Sequence, residues 1–188
     1  TQSRSSAASD VYKRQLSAGS TNGSGNKKAA QYASDYYQEK KIETYLFDNL
    51  YTDIPFILEG GLVQPDKIIE IRNALIECQQ IVIFSPVFNG GYASHLKNTL
   101  DWLSLAFEEY SYNDLFKNKK AAIVSAVLGK GGNSYNAYSS LSSQLENYGL
   151  KVFKDFYLFS SENNLEKKLE ENILLEEFNT FLDEFLGI

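Results

Sequence analysis

The sequence predicts an α/β protein in which parallel strands are covered by helices on both faces. Three observations predict it. Two short apolar runs, Ile81–Phe84 and Ala121–Val127, read as buried strands. Two charge-bearing runs, Ile42–Phe47 and Val152–Leu158, read as edges of the same sheet. Segments with helical periodicity stand between all of them, and strand–helix alternation implies parallel strands with right-handed crossovers.

The chain has 188 residues, enough for one domain with a sizeable core. It is 43% hydrophobic and 22% charged, a globular composition. A net charge of −6 argues against nucleic acid or an anionic membrane as partner. No apolar run approaches the roughly 20 residues that span a bilayer. The lone Cys78 cannot form an internal disulfide, so a reducing, cytoplasmic setting suits the chain. It reads as a small buried hydrophobe rather than a catalytic thiol.

The chain starts oddly. Thr1–Gln15 is polar and basic, has no apolar h-region and holds no methionine. Asp10–Gln15 resembles one reading frame of a transposon end used in preparing sequencing libraries, so residues 1–15 are expected to be a non-native or disordered leader before a domain at 16–188. Lys13 and Arg14 would be costly between two helical layers. The first strand is therefore expected to be truncated or replaced, and Val11–Leu16 to be unable to pair as a central strand.

Leu16–Asn26 is rich in Gly, Ser and Asn, with Gly19, Gly23 and Gly25 freeing the backbone. Such clusters are more often plain loops. A helix starting just behind it, over Asn26–Gln38 with Ala29, Ala33 and Tyr36 on one face, would suit a phosphate monoester. After the Ile42 strand, Asp48–Gln64 is a long connection, expected at the rim of an acceptor pocket. Pro65 opens a helix with Ile68, Ile71, Leu75 and Cys78 on its core face. Ile81–Phe84 then meets Pro86, which ends the strand. Asn89-Gly90-Gly91 is a turn that tolerates positive φ. Leu96, Leu100, Leu103 and Phe107 recur at helical spacing behind it.

Tyr110, Tyr112 and Phe116 follow, read as core aromatics with a lid as the lesser alternative. Ala121–Val127 runs into Leu128-Gly129-Lys130-Gly131-Gly132. A helix with Tyr138, Leu141, Leu145 and Tyr148 ends at Gly149. Leu165–Phe185 closes the chain as one amphipathic helix with Leu174, Phe178, Phe181 and Phe185 as its stripe.

Ser85–Ser104 resembles the flavin-ring loop of the NAD(P)H-dependent FMN reductases. Their pattern is Pro-Glu-Tyr-Asn-Gly-Ser-x-Pro-Gly-x-Leu-Lys-Asn-x-Leu-Asp-Trp. Pro86, Asn89, Gly90, Leu96, Lys97, Asn98, Leu100, Asp101 and Trp102 match it without a gap. Val87 stands for the Glu, Phe88 for the Tyr, Gly91 for the Ser and Ala93-Ser94 for Pro-Gly. Leu16–Asn26 is similar to the family's phosphate loop, one residue short and with Asn22 where Arg is usual.

The resemblance implies a flavodoxin-like three-layer α/β/α sandwich with a parallel sheet in the order 2-1-3-4-5. It implies bound FMN, with its phosphate on Gly19, Ser20, Asn22, Ser24, Gly25 and Asn26. Pro86, Val87, Phe88, Asn89, Gly90, Leu128, Gly129 and Gly131 would frame the ring. A hydride would pass from NADPH or NADH to the flavin, and electrons onward to a small-molecule acceptor: a quinone, azo dye, metal oxyanion or free flavin. The flavin carries this chemistry, so no catalytic side chain is expected. A homodimer or homotetramer is implied, pairing across the helix of Leu100, Trp102 and Leu103; a core role for Trp102 is the alternative.

The rival reading is a flavodoxin-type electron carrier that does not itself oxidise NAD(P)H. Other chemistries fit less well. A receiver domain needs an Asp where Ser85 and Pro86 stand. No Gly-x-Ser-x-Gly elbow exists. One Cys and one His cannot build a zinc site. His95 reads as an exposed helix residue.

Overall fold

The computed structural model describes residues 12–21, 23–58, 63–171, 173 and 175–187, with the backbone alone at 12–14 and 155. Five strands form one parallel sheet: β1 (Tyr12–Ser17), β2 (Thr44–Phe47), β3 (Cys78–Phe84), β6 (Lys120–Ala126) and β7 (Lys151–Phe159). Their order is β2-β1-β3-β6-β7, the expected 2-1-3-4-5 when the five are counted along the chain. β4 (Val87–Phe88) and β5 (Gly91–Tyr92) form a separate antiparallel hairpin.

Side-chain alternation divides the core in two. Val82, Phe84, Ala122 and Val124 pack with α1 (Gly25–Glu39) and α6 (Glu176–Leu186). Ile81, Ile83, Ala121 and Ile123 pack with α2 (Asp66–Ile76), α3 (Ser94–Ser104) and α4 (Ser134–Asn147). Both faces of β3 and β6 are thus covered, which is why their sequences are near-continuous apolar runs.

The first strand corrects an expectation. Tyr12–Ser17 pairs in parallel with β2 on one side and β3 on the other, with a register shift between Tyr12 and Lys13. It is a central strand. Gln15 is fully buried in it. With its amide turned to suit its neighbours, Gln15 donates to Ala30 O at 2.7 Å and accepts from Ser34 N at 3.2 Å. A polar residue can occupy this strand because α1 satisfies it. Thr1–Val11 of the expected leader lies outside the described residues, whereas Tyr12–Gln15 belongs to the sheet.

Three boundaries also differ. α2 stops at Ile76 and Cys78 is the first residue of β3, buried there as a small hydrophobe. α3 stops at Ser104, before Phe107, because Leu105 is extended and Glu108 takes φ 47 to reverse the chain. The expected closing helix is two helices, α5 (Leu165–Glu170) and α6, because the chain leaves α5 by bonding Ile173 N back to Lys168 O. Phe178, Phe181 and Phe185 are buried as expected, joined by Leu182; Leu174 lies outside the described residues. On α1 it is Tyr37 that enters the core, while the partly buried Tyr36 bonds Asp183 at 2.9 Å. Gly149, at φ 91, ends α4 as expected.

Candidate functional site

The carboxyl ends of β1, β3, β6 and β7 share one rim of the sheet, and the chain leaves β1 and β3 toward opposite edges. Open α/β sheets bind ligands at such a switch point. A cleft of about 540 Å³ opens there. Ser20, Thr21, Gly23, Ser24, Gly25 and Asn26 line one wall, Pro86, Val87 and Phe88 a second, and Ala126–Gly129 a third. Phe159, Ser160, Asn164, Leu165 and Glu166 close it.

The first wall is made of backbone and hydroxyls. Ser24 sits at the N-cap of α1 in extended conformation, and its hydroxyl makes no capping bond. The loop turns tightly, with Ser24 N donating to Thr21 O at 3.0 Å. Gly19 is buried beneath it: a Cβ there would lie 2.6 Å from Ser24 Oγ and 3.0 Å from Lys27 N. The first turn of α1 carries no acid. Its leading N–H groups lack intrahelical acceptors, so the helix end favours an anion. An unpartnered hydroxyl, free N–H groups and a cradle that only glycine allows fit a phosphate monoester.

Asn26 plays a different part from the one expected. Its Nδ2 donates to Ala126 O and its Oδ1 accepts from Ala126 N, both at 2.9 Å. Both ends of the amide are engaged, so it clamps the start of α1 to the end of β6. His95 also departs from expectation. It is half-buried, with Nε2 2.8 Å from the carbonyl oxygen of Ala18.

The second wall is the β4–β5 hairpin. Asn89 (φ 51) and Gly90 (φ 80) make its two-residue turn, both central residues left-handed as a type I′ turn requires. Ser85 Oγ fixes its base, accepting from Ala93 N at 3.2 Å and donating to Pro86 O at 3.0 Å. The third wall is held by β7: Val127 N donates to Phe159 O and Ser161 N to Gly129 O, both at 2.9 Å. Gly131 has φ 81, and a Cβ on it would meet Leu158 Cδ2 at 2.7 Å. Phe88 is 54% and Leu128 96% exposed at the cleft.

Ser20, Ser24, Gly25, Asn26, Pro86, Val87, Phe88, Leu128 and Gly129 therefore come together as cleft-lining residues. Gly19, Asn89, Gly90 and Gly131 shape its loops without lining it. Asn22 lies outside the described residues. Sequence reading missed the contribution of Phe159–Glu166. A signal was present, since Asn164 precedes a helix start and accepts from Lys167 N at 2.9 Å. Nothing local tied that cap to the loop after β1. Glu166 meets Lys28 of α1 at 2.6 Å. Among the described residues, no Lys, Arg or His lines the cleft.

The helix with the strongest motif faces inward instead. Asn98 accepts from Ile57 N and donates to Pro55 O, each at 3.0 Å, and Trp102 Nε1 donates to Pro55 O at 2.8 Å. Asp101 takes the hydroxyl of Tyr148 at 2.8 Å. Burial, then this carboxylate, pushes the Tyr148 hydroxyl well above the usual phenol range. Leu100, Trp102 and Leu103 are at most 2% exposed, so they are core and cannot form the expected subunit contact. The described parts of the 48–64 connection and of the 108–119 segment contribute no cleft-lining residue. Of the three aromatics there, Phe116 is core as expected, buried and stacked on Tyr148 at 5.2 Å.

The family model of the NADPH-dependent FMN reductases matches residues 16–164. A sequence search of curated proteins returned no match. Among solved structures, the chain resembles the NAD(P)H:(acceptor) oxidoreductase FerB from Paracoccus denitrificans, at 18% identity and TM-score 0.68, over 94% of this chain and 95% of that one. It resembles an azoreductase from Bacillus anthracis at 17% identity and TM-score 0.63, over 93% and 99%. It resembles flavodoxin 1 from Bacillus cereus less closely, at 15% identity and TM-score 0.55, over 94% and 97%. At these identities the likeness shows the fold.

Proposed function

The chain belongs to the NADPH-dependent FMN reductase family, and we propose that it holds FMN in the cleft described above and reduces an uncharged acceptor of the quinone class there. Membership makes it an NAD(P)H-dependent flavin oxidoreductase with FMN as cofactor. The observation that carries the site assignment is the built phosphate end: Ser24 with a hydroxyl free of a capping bond, at a helix N-terminus, over the Gly19 cradle.

In this reading Ser20, Ser24 and the leading N–H groups of α1 hold the phosphate. Asn26 keeps those groups in place through Ala126. Val87, Phe88, Leu128 and Gly129 border the ring. Bound FMN supplies two-electron redox chemistry, and these side chains offer no acid or base of their own to it.

The acceptor class follows from charge. The one charged residue lining the described cleft is Glu166, an anion already engaged by Lys28. A metal oxyanion or sulfonated dye would find no cation there. A quinone suits a mouth bordered by Phe88 and Leu128. We also propose a homodimer or homotetramer, through faces other than the buried Leu100–Leu103 stretch, and a cytoplasmic setting that suits the lone Cys78.

The test is anaerobic stopped-flow on FMN-loaded protein. NADPH or NADH should bleach the flavin absorbance, and benzoquinone should restore it faster than chromate does. Faster reoxidation by chromate would overturn the acceptor reading. A flavin that neither nucleotide bleaches, but that carries electrons after photoreduction, would favour the electron-carrier reading instead.

A further inference from the structure

We propose that His95 is a positioning residue for the cofactor phosphate, acting through the Ala18 carbonyl. The proposal rests on the site assignment above and adds to it a residue to which the family resemblance gives no role.

The observation is a bridge between the segments that lead into two walls of the cleft. His95 stands in the first turn of α3, directly behind the ring hairpin, and its Nε2 lies 2.8 Å from Ala18 O. A carbonyl oxygen can only accept, so Nε2 carries the proton. Ala18 is the first residue after β1 and is fully buried. Its N–H already donates to Phe84 O of β3 at 2.9 Å. The peptide groups around Ala18 are thus held from β3 on one side and from α3 on the other. The next residue is Gly19, whose close packing sets the path of the chain toward Ser20 and Ser24.

The imidazole is itself well fixed. Its ring meets Tyr51 edge-on, with centroids 5.8 Å apart, and the Tyr51 ring lies 5.7 Å from Lys27 Nζ. A side chain anchored this way can hold a loop in its binding shape before the ligand arrives, and preformed loops lose less freedom on binding. Without His95 the Ala18 carbonyl would be a buried acceptor with no partner from α3, and the start of the loop would be free to shift.

A role confined to the phosphate end predicts a selective effect. Riboflavin shares the ring but lacks the phosphate, so the ratio of riboflavin to FMN dissociation constants isolates that end. The experiment measures both by fluorescence quenching for the wild type, His95→Ala and His95→Gln. His95→Ala should weaken FMN about tenfold, the scale of one net hydrogen bond, and riboflavin less than about twofold. His95→Gln, which can offer an amide N–H to the same carbonyl, should recover most of the ratio.

Equal weakening of both ligands would mean general support of the fold and would overturn the proposal. Unchanged FMN binding in His95→Ala would overturn it too, as would a His95→Gln variant no better than His95→Ala. If His95→Ala does not fold, His95→Gln against His95→Leu gives the same comparison. A wild type that binds FMN no better than riboflavin would instead refute the phosphate-loop assignment, and the role of His95 with it.

Discussion

α3 and the loop after β1 contrast in how they spend their polar groups. α3 carries the long motif match, yet Asn98, Asp101 and Trp102 are all committed to neighbours inside the protein. The loop after β1 has a weak motif, one residue short, yet it holds a Ser24 hydroxyl with no capping bond above a glycine cradle. The lesson is that the α3 half of the more specific sequence signal marks scaffold, with only its Pro86–Gly90 end at the cleft, while the less specific signal lies wholly in the loop to which the phosphate is assigned. A motif can recur because packing demands it as well as because a ligand does.

The comparison can be broken most strongly at Trp102. Trp102→Ala empties a nearly fully buried site and removes one of the two donors to the Pro55 carbonyl, leaving it to Asn98, so it should cost about 3–5 kcal/mol of stability in urea melts. Trp102→Phe should keep FMN affinity within a fewfold. A Trp102→Phe variant of normal stability that has lost FMN would show that α3 serves the ligand directly.

Ser24→Glu reverses the test. It places a carboxylate where the phosphate is assigned, and like charges brought together cost several kcal/mol. FMN should weaken by roughly 100-fold, about 2.7 kcal/mol, while the melting curve hardly moves. Unchanged FMN titrations would refute the assignment.

Asn26→Ala lies between the two regions. It leaves both polar groups of Ala126 without their partner, at about 1–3 kcal/mol each way of counting, and loosens the start of α1. Stability and FMN affinity should fall together. Loss of affinity alone would make Asn26 a direct ligand of the phosphate.

Tyr148→Phe is the mildest change. It removes the bond to Asp101 and should cost about 1 kcal/mol near neutral pH. The sign of its pH dependence follows from the raised pKa. Above the ordinary value of 10.0 the unfolded chain gives up the phenol proton while the folded chain keeps it. Stability from this group is therefore complete below that value and is lost as pH climbs toward the folded pKa. Urea melts at pH 8 and pH 10.5 should show the gap between wild type and variant closing at the higher pH. A constant gap would mean that Tyr148 titrates alike in both states.

Much of the architecture was legible because it rests on local patterns. The apolar runs of β3 and β6 announce strands covered on both faces, and the charged runs of β2 and β7 announce edges. Positive φ at Asn89, Gly90, Gly131 and Gly149 follows the residue types that allow it. Nine of the fourteen residues that the family resemblance assigned to the cofactor line the cleft. These are properties of short segments and of the order in which they come.

What the sequence could not determine depends on partners far along the chain. Asn26 finds Ala126 a hundred positions away, His95 finds Ala18 across 77, and Trp102 finds Pro55 across 47. Burial of Gln15 is tolerable only because α1 passes over it. Cys78 suits a helix face or a strand equally by composition, and pairing with β1 decides for the strand. The closing helix breaks where Ile173 turns back onto Lys168, which periodicity does not encode. Local pattern determined the elements and their order. Tertiary pairing alone decided which polar groups are spent inside the fold and which are left for a ligand, because a buried polar group must find a partner wherever the packed chain supplies one.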